Sequence, residues 1–222
     1  MKWFKKVMLV NVFILSVIFP VSLLAKSLPV YKGVGGDFQM DSTLDKKVSL
    51  SDFSAKIVLL SFGYTNCSDV CPVTLSFLNN ALNALDISEA EQTQVLFVSV
   101  DPDYDTIAHL QKYLSYFNDS FIGLTGSKND IEKAVKLYNI RYSKTSEIQV
   151  STDYRKNKIS KDHEKNHQIH HSNHDTSSLY SHSTYIYLLD KKGEVRGVFD
   201  TTTAVDTVAQ SITSLLKESE GL

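Results

Sequence analysis

Two continuous apolar runs constrain this chain most: residues 57–63 (IVLLSFG) and 94–100 (QVLFVSV). Neither alternates apolar with polar, so each reads as a strand buried on both faces. A helical repeat follows the first run, with Val73, Leu75, Phe77, Leu78, Leu82 and Leu85 spaced along residues 71–86. Pro72 suits the first turn of that helix, where its missing N–H has no intrahelical partner to lose. Further helices are expected at 105–117 and 128–138, with a short strand at 121–124 between them. Residues 184–190 and 194–199 form a β-hairpin across Lys191-Lys192-Gly193, and 203–217 form a closing amphipathic helix. Residues 26–47 are Gly-rich and read as a loop or small hairpin. The order is β-α-β-α-β-α, then a hairpin and a helix. It specifies an α/β fold whose mixed central sheet is flanked by helices.

Two stretches lie outside that pattern. The chain starts with Lys2, Lys5 and Lys6, has no acidic residue before Asp37, and is almost wholly apolar over 7–24. Residues 1–25 therefore read as a cleaved signal peptide or an uncleaved membrane anchor. Either implies export, to the periplasm or its equivalent, with inner-membrane attachment through 7–24 if the segment is kept. Residues 26–222 are then one domain. Within it, 154–179 have no apolar periodicity and cannot pack a core. They read as a flexible loop inserted into the domain. With His182, this region holds six of the seven histidines: His163, His167, His170, His171, His174 and His182. The formal charge of −2 gives no reason to propose nucleic acid as a partner.

The two cysteines fall in GYTNCSDVCP, residues 63–72, where the first buried strand ends and its helix begins. Unpaired N–H groups and the dipole at a helix N-terminus stabilise a thiolate. Cys67 and Cys71 are four apart and lie on one helical face. Their sulfurs can meet one metal ion or close a disulfide with modest adjustment. Asp69, between them, is expected to accept a backbone N–H at the helix start. Asp101 and Asp105 follow the second strand, where loops face the functional edge of an α/β sheet. They fit equally a support for the cysteine site and a plain turn with a helix cap. His109, on the 105–117 helix, reads as an ordinary partly exposed side chain.

The run GYTNCSDVCP resembles the signature of the SCO/SenC family, thioredoxin-like copper chaperones that serve cytochrome c oxidase assembly. Ser99-Val100-Asp101-Pro102 with Asp105-Thr106 resembles a second family segment. His182-Ser183 leading into Tyr185-Ile186-Tyr187-Leu188-Leu189-Asp190 resembles a third. The similarity spans about residues 35–217. Ser68 departs from the usual Pro, and the His-rich insertion is outside the family core. The resemblance implies a thioredoxin-like fold with an N-terminal extension. It also implies a copper site of Cys67, Cys71 and His182. Two soft thiolates and an imidazole suit Cu(I) and can hold Cu(II). Of the six histidines, His182 alone abuts a core strand. The implied partners are the copper-receiving subunit of cytochrome c oxidase and another copper chaperone as donor.

The rival reading is an exported thiol-disulfide oxidoreductase. Cys67 would be the attacking thiolate and Cys71 the resolving thiol. Thioredoxin-type enzymes place a proline before the strand facing the cysteines. This chain has only Pro20, Pro29, Pro72 and Pro102, and His182 stands about where that proline would be.

His163/His167, His167/His171 and His170/His174 are each four apart, a spacing that chelates divalent metals if the segment turns helical. Metal titration of the full chain should show weak extra sites that vanish below about pH 5.5 as imidazoles protonate. Deleting 154–179 should abolish them and spare one tight site. Loss of the tight site instead would place its imidazole inside the deleted loop.

Overall fold

The computed structural model of the protein describes residues 27–145, 179–182 and 184–220. The expected leader and nearly all of the expected insertion lie outside them. The element order is β1 (Gln39–Ser42), β2 (Lys47–Ser49), a 3-10 turn (Leu50–Phe53), β3 (Ile57–Gly63), α1 (Val70–Asn83), α2 (Ile87–Glu91), β4 (Thr93–Ser99), α3 (Ile107–Ser115), β5 (Ile122–Thr125), α4 (Lys128–Leu137), β6 (Tyr142–Thr145), β7 (Leu179–His182), β8 (Ile186–Leu189), β9 (Val195–Phe199) and α5 (Val205–Glu220).

Seven strands form one sheet in the order β2-β1-β5-β4-β3-β8-β9. Its centre is parallel: Leu60 pairs with Leu96 in β4, and Val98 of β4 pairs with Leu124 in β5. Antiparallel hairpins close both sides. β1 joins β5 through Asp41 and Thr125, and β8 joins β3 with Ile186 opposite Ser61. The mixed sheet and flanking helices are the α/β architecture read from the sequence. The strand at 57–63 has the expected bounds. The Gly-rich N-terminal region does contain a hairpin, and that hairpin extends the main sheet.

Both faces of β3 are covered, which accounts for its unbroken apolar sequence. Val58, Leu60 and Phe62 join Met40, Leu96, Val98, Ile131, Ala134 and Tyr138 on the α4 side. Ile57 and Leu59 join Leu75, Leu78, Phe97, Leu110, Leu114 and Ile212 on the side of α1, α3 and α5. Each fully buried Leu, Ile or Phe contributes roughly 1.5–3 kcal/mol relative to exposure. On the α4 side, Tyr187 donates its hydroxyl to the Tyr138 carbonyl at 2.7 Å, so a large ring is buried without stranding its polar end.

The helix starts are capped where hydroxyls were available. Ser127 accepts from Asp130 N–H at α4, and Asp130 returns the bond to Ser127 N–H. Thr106 accepts from His109 N–H at α3. The β8–β9 turn uses Gly193 at φ 74°, a conformation costly for any residue with a Cβ. Asp190 at the end of β8 accepts from the N–H groups of Lys192 and Glu194.

Asp190 also anchors a buried ionic junction. Arg196 of β9 binds Asp190 and Glu218 at 2.8 Å each and donates to the Leu28 carbonyl at 2.6 Å. Its side chain and that of Asp190 are each 11% exposed. The junction ties the N-terminal segment to the sheet edge and to α5. Arg196→Ala should lower unfolding stability by about 3 kcal/mol in urea titrations, because Asp190 is left buried and uncompensated. Arg196→Lys should recover only part of the loss, since an ammonium cannot reproduce the guanidinium fork. An unchanged midpoint in Arg196→Ala would refute the junction's contribution.

Candidate functional site

β3 ends at Gly63, where the space beside the Cα is taken. A Cβ there would lie 2.8 Å from Cys71 Sγ and 2.8 Å from the Phe97 ring. The chain then crosses the sheet edge through Tyr64, Thr65 and Asn66, and Cys67 N–H returns to the Tyr64 carbonyl at 3.3 Å. α1 begins at Val70, so Cys67 sits just before the helix and Cys71 in its first turn. Pro72 occupies that same turn, as expected. Both cysteines are buried, Cys67 at 8% exposure and Cys71 at 2%, and they are not joined by a disulfide.

The electrostatics of the pair are strongly asymmetric. Cys67 is lowered from its ordinary value of 9.0 to about 4. The main cause is a hydrogen bond donated by the Cys71 thiol; burial opposes it, and the N–H groups of Asp69, Cys71 and Val70 assist it. Cys71 moves the other way. Its proton is engaged by Cys67, burial disfavours a second charge, and the charges of Cys67 and Asp105 repel one. The two sulfurs therefore share one proton and one negative charge at neutral pH.

Asp69 does not play the capping role expected of it. Asp69 occupies the N-cap position of α1, but its side chain makes no capping hydrogen bond and it is exposed. The amides that a capping carboxylate would take point at the Cys67 sulfur instead.

Asp105 is fully buried and does not cap α3, whose cap is Thr106. Its carboxylate accepts from Thr65 N–H at 3.0 Å, from the Thr65 hydroxyl and from the Ser99 hydroxyl. It thereby clamps the loop after β3 to the end of β4. Asp101, also buried, directs its carbonyl to the N–H groups of Tyr104 and Asp105. Of the two readings open for Asp105, support of the cysteine site is the one observed. Thr65 and Ser99 had no such role assigned from the sequence. The only hint of it was the Asp-Pro segment's resemblance. His109 is half-buried, its ring 4.9 Å from that of Tyr104.

His182 ends β7, with its backbone opposite Tyr142 in the β6–β7 ladder. Its side chain, and the remaining loop histidines, lie outside what is described. Four residues later Ile186 pairs with Ser61 of β3, so β8 starts at the sheet edge where the cysteine loop leaves. Among the described residues, no three His, Cys, Asp or Glu side chains gather as a metal cluster. The described donor set is two soft sulfurs, one already deprotonated, which fits a soft metal ion and equally thiol–disulfide exchange.

The model of the SCO1/SenC family matches residues 29–158. Mitochondrial SCO1 of Saccharomyces cerevisiae is 28% identical over 185 residues, covering 82% of this chain and 55% of its own length. The chain thus spans about half of that relative. A structure of Bradyrhizobium japonicum ScoI with copper bound superposes with a TM-score of 0.65 at 27% identity, over 82% of this chain and 99% of the other. BsSco, described as a member of the Sco family of cytochrome c oxidase assembly proteins with a disulfide switch, shares the fold. Its TM-score is 0.57 at 20% identity, over 86% of this chain and 97% of its own.

The shared proton has a measurable consequence. Alkylation of Cys67 by iodoacetamide, followed by mass, should hold its rate as pH falls from about 8 to about 5 and decline only through about pH 4. Cys71→Ala removes the main hydrogen bond to the thiolate and should move that midpoint upward. A wild-type midpoint near the ordinary value of 9.0 would contradict the asymmetry.

Proposed function

The chain belongs to the SCO1/SenC family, and from that premise we propose that it binds one copper ion through Cys67, Cys71 and His182. Its task on this reading is to hand the ion to a dinuclear copper site on a cytochrome c oxidase subunit during assembly. The observation that carries the proposal is the pair of buried, unbridged cysteines set together at the N-terminus of α1. Cys67 offers a ready thiolate, and Cys71 completes the chelate once the incoming metal displaces its proton. The resemblance of the segment around His182 supports that residue as third ligand, and so does its position four residues before Ile186, which pairs with Ser61 of β3. Release proceeds by ligand exchange, a partner thiolate replacing one protein ligand at a time. The basic start followed by an apolar run supports export and a working place outside the cytoplasm. Another copper chaperone is the natural donor.

A second reading has its own support. The lowered Cys67 and raised Cys71 also suit a reductant of partner cysteines. The Cys67 thiolate attacks a partner disulfide and expels one partner thiolate. Cys71, losing its proton, then attacks the mixed disulfide. Two electrons pass to the partner, and a Cys67–Cys71 disulfide remains.

One set of variants separates the two. Cys67→Ser and Cys71→Ser should each abolish tight copper binding by the reduced protein. His182→Ala should weaken Cu(II) strongly and Cu(I) less, since two thiolates hold Cu(I) linearly and Cu(II) prefers nitrogen. Disulfide reduction by His182→Ala should change little, while oxidase assembly in cells fails. Unchanged copper affinities and normal assembly in His182→Ala, with function lost in Cys67→Ser, would favour the reductase.

A further inference from the structure

The buried junction of Arg196, Asp190 and Glu218 lies far from the cysteines, at the other end of the sheet. Val195, next to Arg196, pairs with Leu189, and Leu189 pairs with Val58 at the start of β3. The cysteine loop leaves β3 from its last residue, Gly63. What the junction grips is the start of the described chain. Leu28 donates its N–H to Glu218 Oε1 at 3.3 Å. Its carbonyl accepts from Arg196 Nε at 3.1 Å and from Nη2 at 2.6 Å. Its side chain packs on the core between the sheet and α5. Tyr31 N–H then bonds the Val195 carbonyl at 2.8 Å. Pro29 stiffens the run between them.

The apolar run 7–24 has about the minimum length for a spanning helix. The chain from Leu24 to Leu28 reaches at most about 14 Å when fully extended. A chain anchored by 7–24 therefore has no leash. The sheet end that carries Leu28 is held at the bilayer surface, and the end that carries the cysteines is held away from it. The surface around Leu28 suits that place. Tyr31 is 44% exposed, and Ile87 of α2 is 82% exposed. Lys191 donates to the Gln92 side chain at 3.1 Å and so joins the α2 region to this end. Lys32 and Lys192 are exposed here too, with Lys32 4.0 Å from Glu194. Apolar tips and long ammonium stems are side chains that settle at headgroup level. Asp86, Glu89 and Glu91 lie around Ile87 in sequence, so the lysines bring no net attraction. The short tether, not charge, sets the contact.

We propose that this end of the domain is a membrane face that rests on phospholipid headgroups. Residues 7–24 stay in the bilayer, and the Arg196 junction clasps the chain where it emerges. The cysteine site is thereby carried at a fixed height, roughly the length of β3 or about 20 Å above the headgroups. The proposal goes beyond the copper reading and holds whether the sulfurs carry metal or electrons. It restricts partners to those that present their own site at that height.

The full chain in phospholipid vesicles tests this. A coumarin amino acid is placed at position 87 in one protein and at position 104 in another, which leaves both cysteines native. Ile87 and Tyr104 are exposed, and Tyr104 lies in the turn after β4, at the cysteine end. Energy transfer to NBD-labelled phosphatidylethanolamine should be several-fold more efficient from 87 than from 104. The difference should be the same in phosphatidylcholine alone and with phosphatidylglycerol added. A flexible Gly/Ser insertion of about ten residues between Lys26 and Ser27 should narrow it, because the leash is lengthened while the clasp is kept. Equal transfer from the two positions without the insertion, or stronger transfer from 104, would overturn the proposal. A difference untouched by the insertion would refute the tether as its cause. Loss of residues 1–25 during export, read from the mass of the chain recovered from cells, would also overturn it.

Discussion

A sulfur stands where most helices place a capping oxygen. The first amides of α1, those of Asp69, Val70 and Cys71, turn to Cys67, so the orphan donors at the helix start stabilise a thiolate. Much else near the site serves that contact. β3 must end in glycine because Cys71 Sγ and Phe97 press on the space beside Gly63. The loop must turn tightly to bring Cys67 onto the helix start, and the Thr65–Asp105–Ser99 clamp holds it there. A buried carboxylate beside a buried thiolate is costly in a low-dielectric interior. Three donors on Asp105 and four on Cys67 make the arrangement tolerable, and the hydrogen bond to Cys67, burial and then the charges of Cys67 and Asp105 keep the proton on Cys71.

The sheet supplies the frame. The C-terminal ends of the parallel strands β3 and β4 lie at one edge, and antiparallel β8 begins there. Three separate chain passes therefore converge without a long loop bridging the core: the cysteine loop, the Asp-Pro turn and the approach to β8. Thr145 and Leu179, the described residues on either side of 146–178, are partners in the β6–β7 ladder. The chain between them is thus closed at its root. Lengthening a chain beyond a closed root costs entropy only logarithmically, so the number of residues between Thr145 and Leu179 bears little on the register of His182 with Tyr142.

What could be read from the sequence follows from the range of the forces involved. The two buried strands and the helices facing them were legible because burial on both faces writes a continuous apolar run, and one-sided packing writes a helical repeat. The short helix α2 escaped notice although Asp86 and Glu89 form a capping box at its start; its brevity leaves no repeat to see. β6 and β7 have no hydrophobic signature because they pair only with each other. Asp69 departs from the sequence expectation for a chemical reason. Side-chain oxygen is the usual cap, and nothing local reveals that a sulfur has claimed the same amides. The Asp105 clamp joins residues forty positions apart, and a contact of that range has no periodicity to betray it.

The same asymmetry explains why this site is hard to classify by chemistry alone. A thiolate poised beside a proton-bearing thiol is a good nucleophile followed by a good resolving group. It is equally a chelate that needs to lose one proton to close. Oxidation and metal loading thus compete for the same two sulfurs, and each excludes the other. Closing the disulfide consumes both lone-pair donors, while a bound ion blocks the approach of a partner disulfide. What tips such a pair is the third side of the site. An apolar docking residue there favours exchange with a peptide disulfide. An imidazole adds a donor that a disulfide cannot use and a metal ion can. Position 182, four residues before the Ile186–Ser61 pair, carries a histidine, and the copper reading proposed above takes it as that donor.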